Sequence, residues 1–309
     1  MRCIFMIFCC FLWVGVKAQK KLNTFHVIDS VSGKAIPAVS ITIIRAKLAI
    51  STEKDGVFNI PGDLTKMRDT VIVEAQGYMA HKVLLHKLHS MDSLRLVRSR
   101  RRIQGIPSDY RQEIELNQFK KFDVTHYAGL HTETSSFDYL QLAQQFYLPK
   151  PSAQLIKIYV SRLAFRLNNL RQEDAVGMEP TKFRLRIYEA DTIKGGPGEE
   201  LCEQVIEVRD KDSQYLGINL SDYKIIIPSN SFFVAIEWMR DFTNQGYVLV
   251  QQKSGRPVQM INYRPAVGVS TVKGTNLNIW GLNLKKQWKP YTYFAPDFTD
   301  LAVTAVVRQ

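Results

Sequence analysis

Apolar and polar residues alternate in short runs along this chain. Val39, Ile41 and Ile43 alternate with Ser40 and Thr42, which predicts a half-buried strand. Val71 and Val73 alternate with Thr70, Ile72 and Glu74, which predicts a second strand with a more apolar outer face. Leu94 and Leu96 alternate with Ser93 and Arg95 and predict a last strand. Ser32-Gly33 and Asp55-Gly56 mark tight turns between such runs, because glycine accepts positive φ at little cost. Strands this short at this spacing predict a small β-sandwich over residues 23–97.

A second unit is predicted over residues 133–309. Leu155, Ile156, Ile158 and Val160 form an apolar strand, and Phe183, Leu185 and Ile187 alternate with Lys182, Arg184 and Arg186 as an amphipathic one. Lys194-Gly195-Gly196-Pro197-Gly198 is a turn, with Leu201 to Val208 as the return strand. Tyr223 to Ile227 and Ser231 to Trp238 flank Pro228-Ser229-Asn230, which reads as a hairpin connection. Gly246 to Val250 and Leu301 to Val307 are further strands. Helical periodicity is not sustained in this unit, so the expectation is a jelly-roll-like sandwich and an all-β chain throughout. Residues 98–132 read as a basic connecting segment. Phe119, Phe122 and Tyr127 predict that part of it packs along one of the sandwiches, since long structureless stretches are unusual in a compact protein.

Composition changes this picture in three ways. Arg2 followed by the uncharged apolar run Cys3 to Val16, then Val16-Lys17-Ala18 before Gln19, predicts a cleaved signal peptide over residues 1–18. That run of 14 residues is short of the roughly 20 that span a bilayer as a helix. Ile7-Phe8-Cys9 before Cys10 lacks the small residues of a lipidation site. Cys3, Cys9 and Cys10 leave with the signal, so Cys202 cannot form an internal disulfide and reads as a buried thiol. The formal charge of +12 becomes +10 once Arg2 and Lys17 are removed. A basic exported chain favours anionic partners, and export argues against nucleic acid. The expected location is periplasmic, outer-membrane-associated or secreted.

Several motifs of the first unit occur in a known order. They are Asp29 to Gly33, Ile36-Pro37-Ala38, Thr52-Glu53-Lys54-Asp55-Gly56-Val57-Phe58, Val71-Ile72-Val73 and Gly77-Tyr78. In these residues the unit resembles the carboxypeptidase regulatory-like family. The resemblance implies a transthyretin-like sandwich without catalytic activity, of the kind that accompanies peptidases or opens outer-membrane receptor chains. Ala38 departs from the pattern, which usually has glycine there. The run KFRLRIYE, the Gly-Pro-Gly turn, Leu220-Ser221 and FFVAIEW are similar to second domains that follow this module in exported bacterial proteins.

Catalytic constellations are sparse. The histidines are His26, His81, His86, His89, His126 and His131, and none has a glutamate three residues later, as a metallocarboxypeptidase requires. His81, His86 and His89 read as solvated edge residues. Gly268-Val269-Ser270-Thr271-Val272 lacks the second glycine of a nucleophile elbow. Asp210 and Asp212 read as a surface turn, with calcium as the alternative. Glu237, inside an apolar run, is expected to pair with Arg184 or Arg186. No metal or cofactor is expected. The candidate ligand-binding residues are Trp280, Trp288, Tyr291 and Tyr293, in an aromatic region that extends through Phe294 to Phe298. Such rings either stack on sugars, line a protein interface, or fill the core and cover an edge. Arg98, Arg100, Arg101 and Arg102 are the candidate contact with an anionic membrane surface, against a solvated boundary segment as the alternative. The expected function is a non-catalytic binding or scaffold role in the bacterial cell envelope, contacting protein or glycan. An accessory subunit of a peptidase or outer-membrane nutrient-uptake receptor is the second reading. A hydrolase with distant carboxylates is the third.

Overall fold

The computed structural model describes residues 22–99, 112–131, 135–163, 181–210, 214–240, 244–251, 257–272 and 274–309. The chain is all-β: about 55% is strand, and the helical segments described are 3-10 turns of three to six residues. The signal peptide predicted over residues 1–18 lies outside the described residues, as do Arg100, Arg101, Arg102 and Asp212. Among the described residues no helix is long and apolar enough to cross a membrane.

The first sandwich contains β1 (Leu22–Asp29), β2 (Ser40–Ile43), β3 (Leu48–Ser51), β4 (Val57–Pro61), β5 (Thr70–Glu74), β6 (His81–Leu84) and β7 (Leu94–Leu96). One sheet has the order β4-β1-β7, with β1 antiparallel to β4 and parallel to β7. The other has the order β3-β2-β5-β6. Phe25 and Val27 point inward from alternate positions of β1 and meet Ile41, Ile43, Phe58, Val71, Val73, Leu94 and Leu96 in one core. Burial of each such side chain contributes about 1.5–3 kcal/mol.

The second sandwich contains β8 (Glu113–Leu116), β9 (Val124–His131), β10 (Gln141–Tyr147), β11 (Ala153–Leu163), β12 (Thr181–Ala190), β13 (Pro197–Glu200), β14 (Ile206–Asp210) and β15 (Tyr215–Asn219). It continues with β16 (Ile226–Ile227), β17 (Ser231–Trp238), β18 (Gln245–Gln251), β19 (Pro257–Ser270), β20 (Ile279–Leu282), β21 (Trp288–Pro290), β22 (Asp300–Leu301) and β23 (Val303–Arg308). A seven-stranded sheet runs β13-β12-β17-β10-β20-β21, with β14 also on β12. A nine-stranded sheet runs β18-β19-β11-β23-β8, with β15 and β16 on β11, and β9 and β22 on β19. Between them Phe183, Phe232, Val234 and Ile236 meet Leu155, Ile158, Val267, Val303 and Val307.

Several local expectations change. β16 pairs with β11 in the nine-stranded sheet, whereas β17 lies in the seven-stranded one. Pro228-Ser229-Asn230 is therefore a crossover between sheets and not a hairpin turn. Both flanks face the same core, so their periodicity cannot distinguish the two. Of the return strand expected from Leu201 to Val208, only Ile206 to Val208 are strand, as the start of β14; β13 begins earlier, within the expected turn at Pro197, and both strands pair with β12. Between them the buried Cys202 thiol donates to the Gln204 carbonyl at 3.3 Å. The segment read as connecting, residues 98–132, supplies β8 and β9 to the second sandwich.

Candidate functional site

The polar faces of β2 and β12 are not solvated as their alternation suggested. Every residue of β2 is buried, including Ser40 and Thr42, and Arg184 and Arg186 are 1% and 7% exposed. The reason is that the first sandwich lies on the outer face of the seven-stranded sheet. Ser40 donates to Glu237 Oε1 at 3.4 Å, Arg184 donates to the Ser51 hydroxyl, and Gln76 donates to Glu200 at 2.8 Å. Lys286 pairs with Glu74 and Lys47 with Asp138 at 2.8 Å, while Arg240 donates to the Lys47 carbonyl at 3.2 Å. A small apolar contact of Ala49, Leu140 and Leu282 completes the seam.

Glu237 is the centre of this seam. Its carboxylate lies 3.7 Å from Arg186 and 4.0 Å from Arg184, which are cross-strand neighbours on β12. Burial pushes its pKa up, but the Arg186, Arg184 and Lys286 charges and the Ser40 hydroxyl hold it below the ordinary value. The expected pairing with Arg184 or Arg186 is thus realised with both. Glu200 forms an ion pair with Arg186 Nε at 3.0 Å, and burial raises its pKa against that charge. Glu199, Glu200 and Glu203 line a cavity of about 180 Å³ at one end of the seam, beside Tyr78 and Cys202. Asp210 pairs with Arg162 at 2.8 Å. Among the described residues no group of three His, Cys, Asp or Glu side chains is placed to hold a metal.

The four aromatic candidates divide between two surfaces. Ile279 enters the core, so its neighbour Trp280 points to the outer face, because successive strand residues alternate sides. There the half-buried Trp280 stands edge-on to Phe233 at 6.1 Å, and its buried Nε1 has no hydrogen-bond partner among the described residues. Gly196 makes room for it: a Cβ at that residue would lie 2.6 Å from Trp280 Cζ3. Trp288 stands edge-on to Tyr188 at 5.5 Å and also touches the Ala49–Leu282 cluster, so it borders the first sandwich. Tyr291 instead packs against the main core and donates to the Ser136 carbonyl at 2.9 Å. Burial and the neighbouring Tyr293 raise its pKa. Tyr293 is 55% exposed and meets Phe137 and Phe294 edge-to-face at 4.5 and 5.0 Å.

Another aromatic row was not anticipated. On the outer face of the nine-stranded sheet, Tyr159 and Tyr215 lie nearly parallel at 5.2 Å. Lys157 Nζ is 4.8 Å from the Tyr159 ring centre, and Phe119 meets Tyr215 edge-on at 5.8 Å. Lys157 and Tyr159 share a strand face by parity, a signal present in the sequence; their partner on β15 becomes known only from the pairing.

Arg98 is tied into the first sandwich although its side chain is 71% exposed. Its Nε donates to Asp29 at 2.8 Å, and its guanidinium sits 5.6 Å from the Tyr78 ring centre. Asp29 also accepts from the Tyr78 hydroxyl at 2.9 Å and from the backbone N–H groups of Val31 and Ser32. Arg98, these N–H groups and the hydroxyl together hold the Asp29 carboxyl well below the usual carboxylate range. Arg98 is therefore structurally engaged at the start of the basic run.

The motif residues of this sandwich each have a local physical role. Thr52 accepts from Val39 N–H at 2.9 Å and donates to the Ile36 carbonyl at 3.0 Å. Asp55 accepts from Val57 N–H at 3.0 Å, and Phe58 stacks on Phe25 at 5.4 Å. Gly56 has φ +71°, and a Cβ there would lie 2.7 Å from the Val27 carbonyl oxygen. Ala38 has φ +56°, a left-handed conformation that favours glycine.

No protein-family model matches the chain, and no curated protein matches it. Among solved structures it has a likeness to the structure of infectious bursal disease virus, Gx strain, at 9% identity and a TM-score of 0.18. The alignment covers 93% of this chain and 63% of that one, and the score is too low to bear on fold or function.

Proposed function

We propose that this chain is a non-catalytic, exported binding or scaffold protein of the bacterial cell envelope. In this reading the first sandwich is a carboxypeptidase regulatory-like module and the second a jelly-roll-like one that holds the partner. The observation that carries the proposal is the Tyr293 cluster: an exposed ring locked among Phe137, Tyr291 and Phe294. Rings packed edge-to-face present edges and hydroxyls instead of broad flat faces. That suits a protein partner better than stacking on sugar, because tyrosine offers rigid apolar area with a polar tip. The signal-peptide pattern of residues 1–18 supports export. The pairing of Glu237 with two guanidinium groups supports a structural role for that buried acid.

The test compares the chain without residues 1–18 with its Tyr293→Ala variant. Both are presented to a solubilised envelope fraction and, separately, to a glycan array. A protein retained by the unmutated chain and lost with the variant is the expected result. Equal retention by the variant overturns the assigned surface. Specific glycan capture replaces the protein partner, and hydrolysis of peptide or glycosidic bonds by the purified chain overturns the non-catalytic reading.

A further inference from the structure

We propose that the first sandwich carries an oxyanion site suited to a phosphate monoester group, formed by Arg45, Arg68 and His86. These residues come from three separate segments: the β2–β3 turn, the approach to β5 and the stretch after β6. With Asp69, Thr70 and Leu84 they line a concavity of about 490 Å³, within the size range of small-molecule sites. All three basic side chains are exposed, so their donors meet solvent. Among the described residues the Arg68 guanidinium makes no hydrogen bond or ion pair. Arg45 is held at the rim, where Nη1 donates to the Arg68 carbonyl at 3.3 Å.

The frame beneath these groups is fixed by Asp69. Its Oδ2 accepts the N–H groups of Arg45 and Ala46 at 2.9 and 3.0 Å, and its Oδ1 accepts that of Thr70 at 2.7 Å. The Asp69 carbonyl accepts Leu85 N–H at 2.8 Å, which ties in the third segment. The lining carboxylate is therefore buried and engaged by backbone donors, and leaves the outward guanidinium groups for a ligand. Guanidinium forks match the oxygens of phosphate, and a monoester presents three oxygens to donors arriving from three sides. Leu84, 43% exposed, offers an apolar border for the group that bears the phosphate.

Two arms test the site and separate its sources. In one, inorganic phosphate is titrated calorimetrically into the full chain at constant ionic strength. In the other, the chain is co-sedimented with phosphatidylcholine vesicles with and without phosphatidic acid. Arg68→Gln should weaken binding at least about tenfold in one arm or both, the loss of a charge-assisted contact. Among the described residues the Arg68 guanidinium has no partner to lose, so an unchanged thermal midpoint is expected; Arg45→Gln is the second variant. Dependence on Arg68 in the vesicle arm alone assigns a lipid headgroup, and in the phosphate arm alone a soluble ester. Absence of saturable binding in both arms, or equal binding by both variants, overturns the proposal.

Discussion

Replacing Glu237 with glutamine removes one negative charge from a buried group of guanidinium and carboxylate side chains while keeping its shape. The lost attractions act across 3.7 Å to Arg186 and 4.0 Å to Arg184. At an effective dielectric constant of about 20 each is worth about 4 kcal/mol. Desolvation of the carboxylate, several kcal/mol, is relieved by the same change. Removing one member of a buried pair costs about 3–5 kcal/mol net. The lower end applies here, about 3 kcal/mol, because Glu200 stays 3.0 Å from Arg186 and Glu207 stays 3.9 Å from Arg184. Urea unfolding at pH 7, followed by tryptophan fluorescence and circular dichroism, measures the difference. The pH dependence has a definite sign. The folded pKa of Glu237 is depressed below its ordinary 4.5, so its contribution is complete above 4.5 and is lost as pH falls through the folded value. The deficit of the variant should therefore shrink in acid. A variant within about 1 kcal/mol of the parent at pH 7, less than the range for a broken buried pair, refutes the reasoning. A deficit that grows below pH 4.5 also refutes it.

Gly196→Ala should displace the Trp280 ring and cost about 1–3 kcal/mol by overpacking, visible as a change in tryptophan emission and quenching. Ala38→Gly should be neutral to stabilising by about 0.5–1 kcal/mol in denaturant unfolding, since it relieves a left-handed alanine at the entropic cost of glycine. Asp29→Asn should lower thermal stability at neutral pH. Because the Asp29 pKa is depressed, the difference from the parent should fade as pH drops through the acid range.

The core was legible in the chain because β-strands repeat every two residues. Val71, Val73, Leu94, Leu96, Phe183, Leu185 and Ile187 are buried where their period put them. The covered polar faces were not legible. Ser40, Thr42, Arg184 and Arg186 carry the same alternation whether water or another protein surface faces them, and nothing periodic marks the difference. Glu237 could be paired in advance because a carboxylate inside an apolar run needs a cation, and β12 offered two. The separation of Trp280 from Tyr293 was hidden for another reason. It depends on where the chain leaves β21 at Pro290, and a local count of rings carries no such information. The Tyr159–Tyr215 row needed the register of β11 with β15, a long-range fact.

The seam through Glu237 has one more consequence. A joint of hydroxyls, amides and opposite charges, with few hydrocarbon contacts, leaves mostly wettable skins on both sides if it parts. Opening it would create little greasy surface and would not invite clumping. Salt should reach only its solvent-facing links, such as Lys47 with Asp138, and leave the buried Glu237 group nearly untouched, so raised ionic strength alone should not part the two bodies.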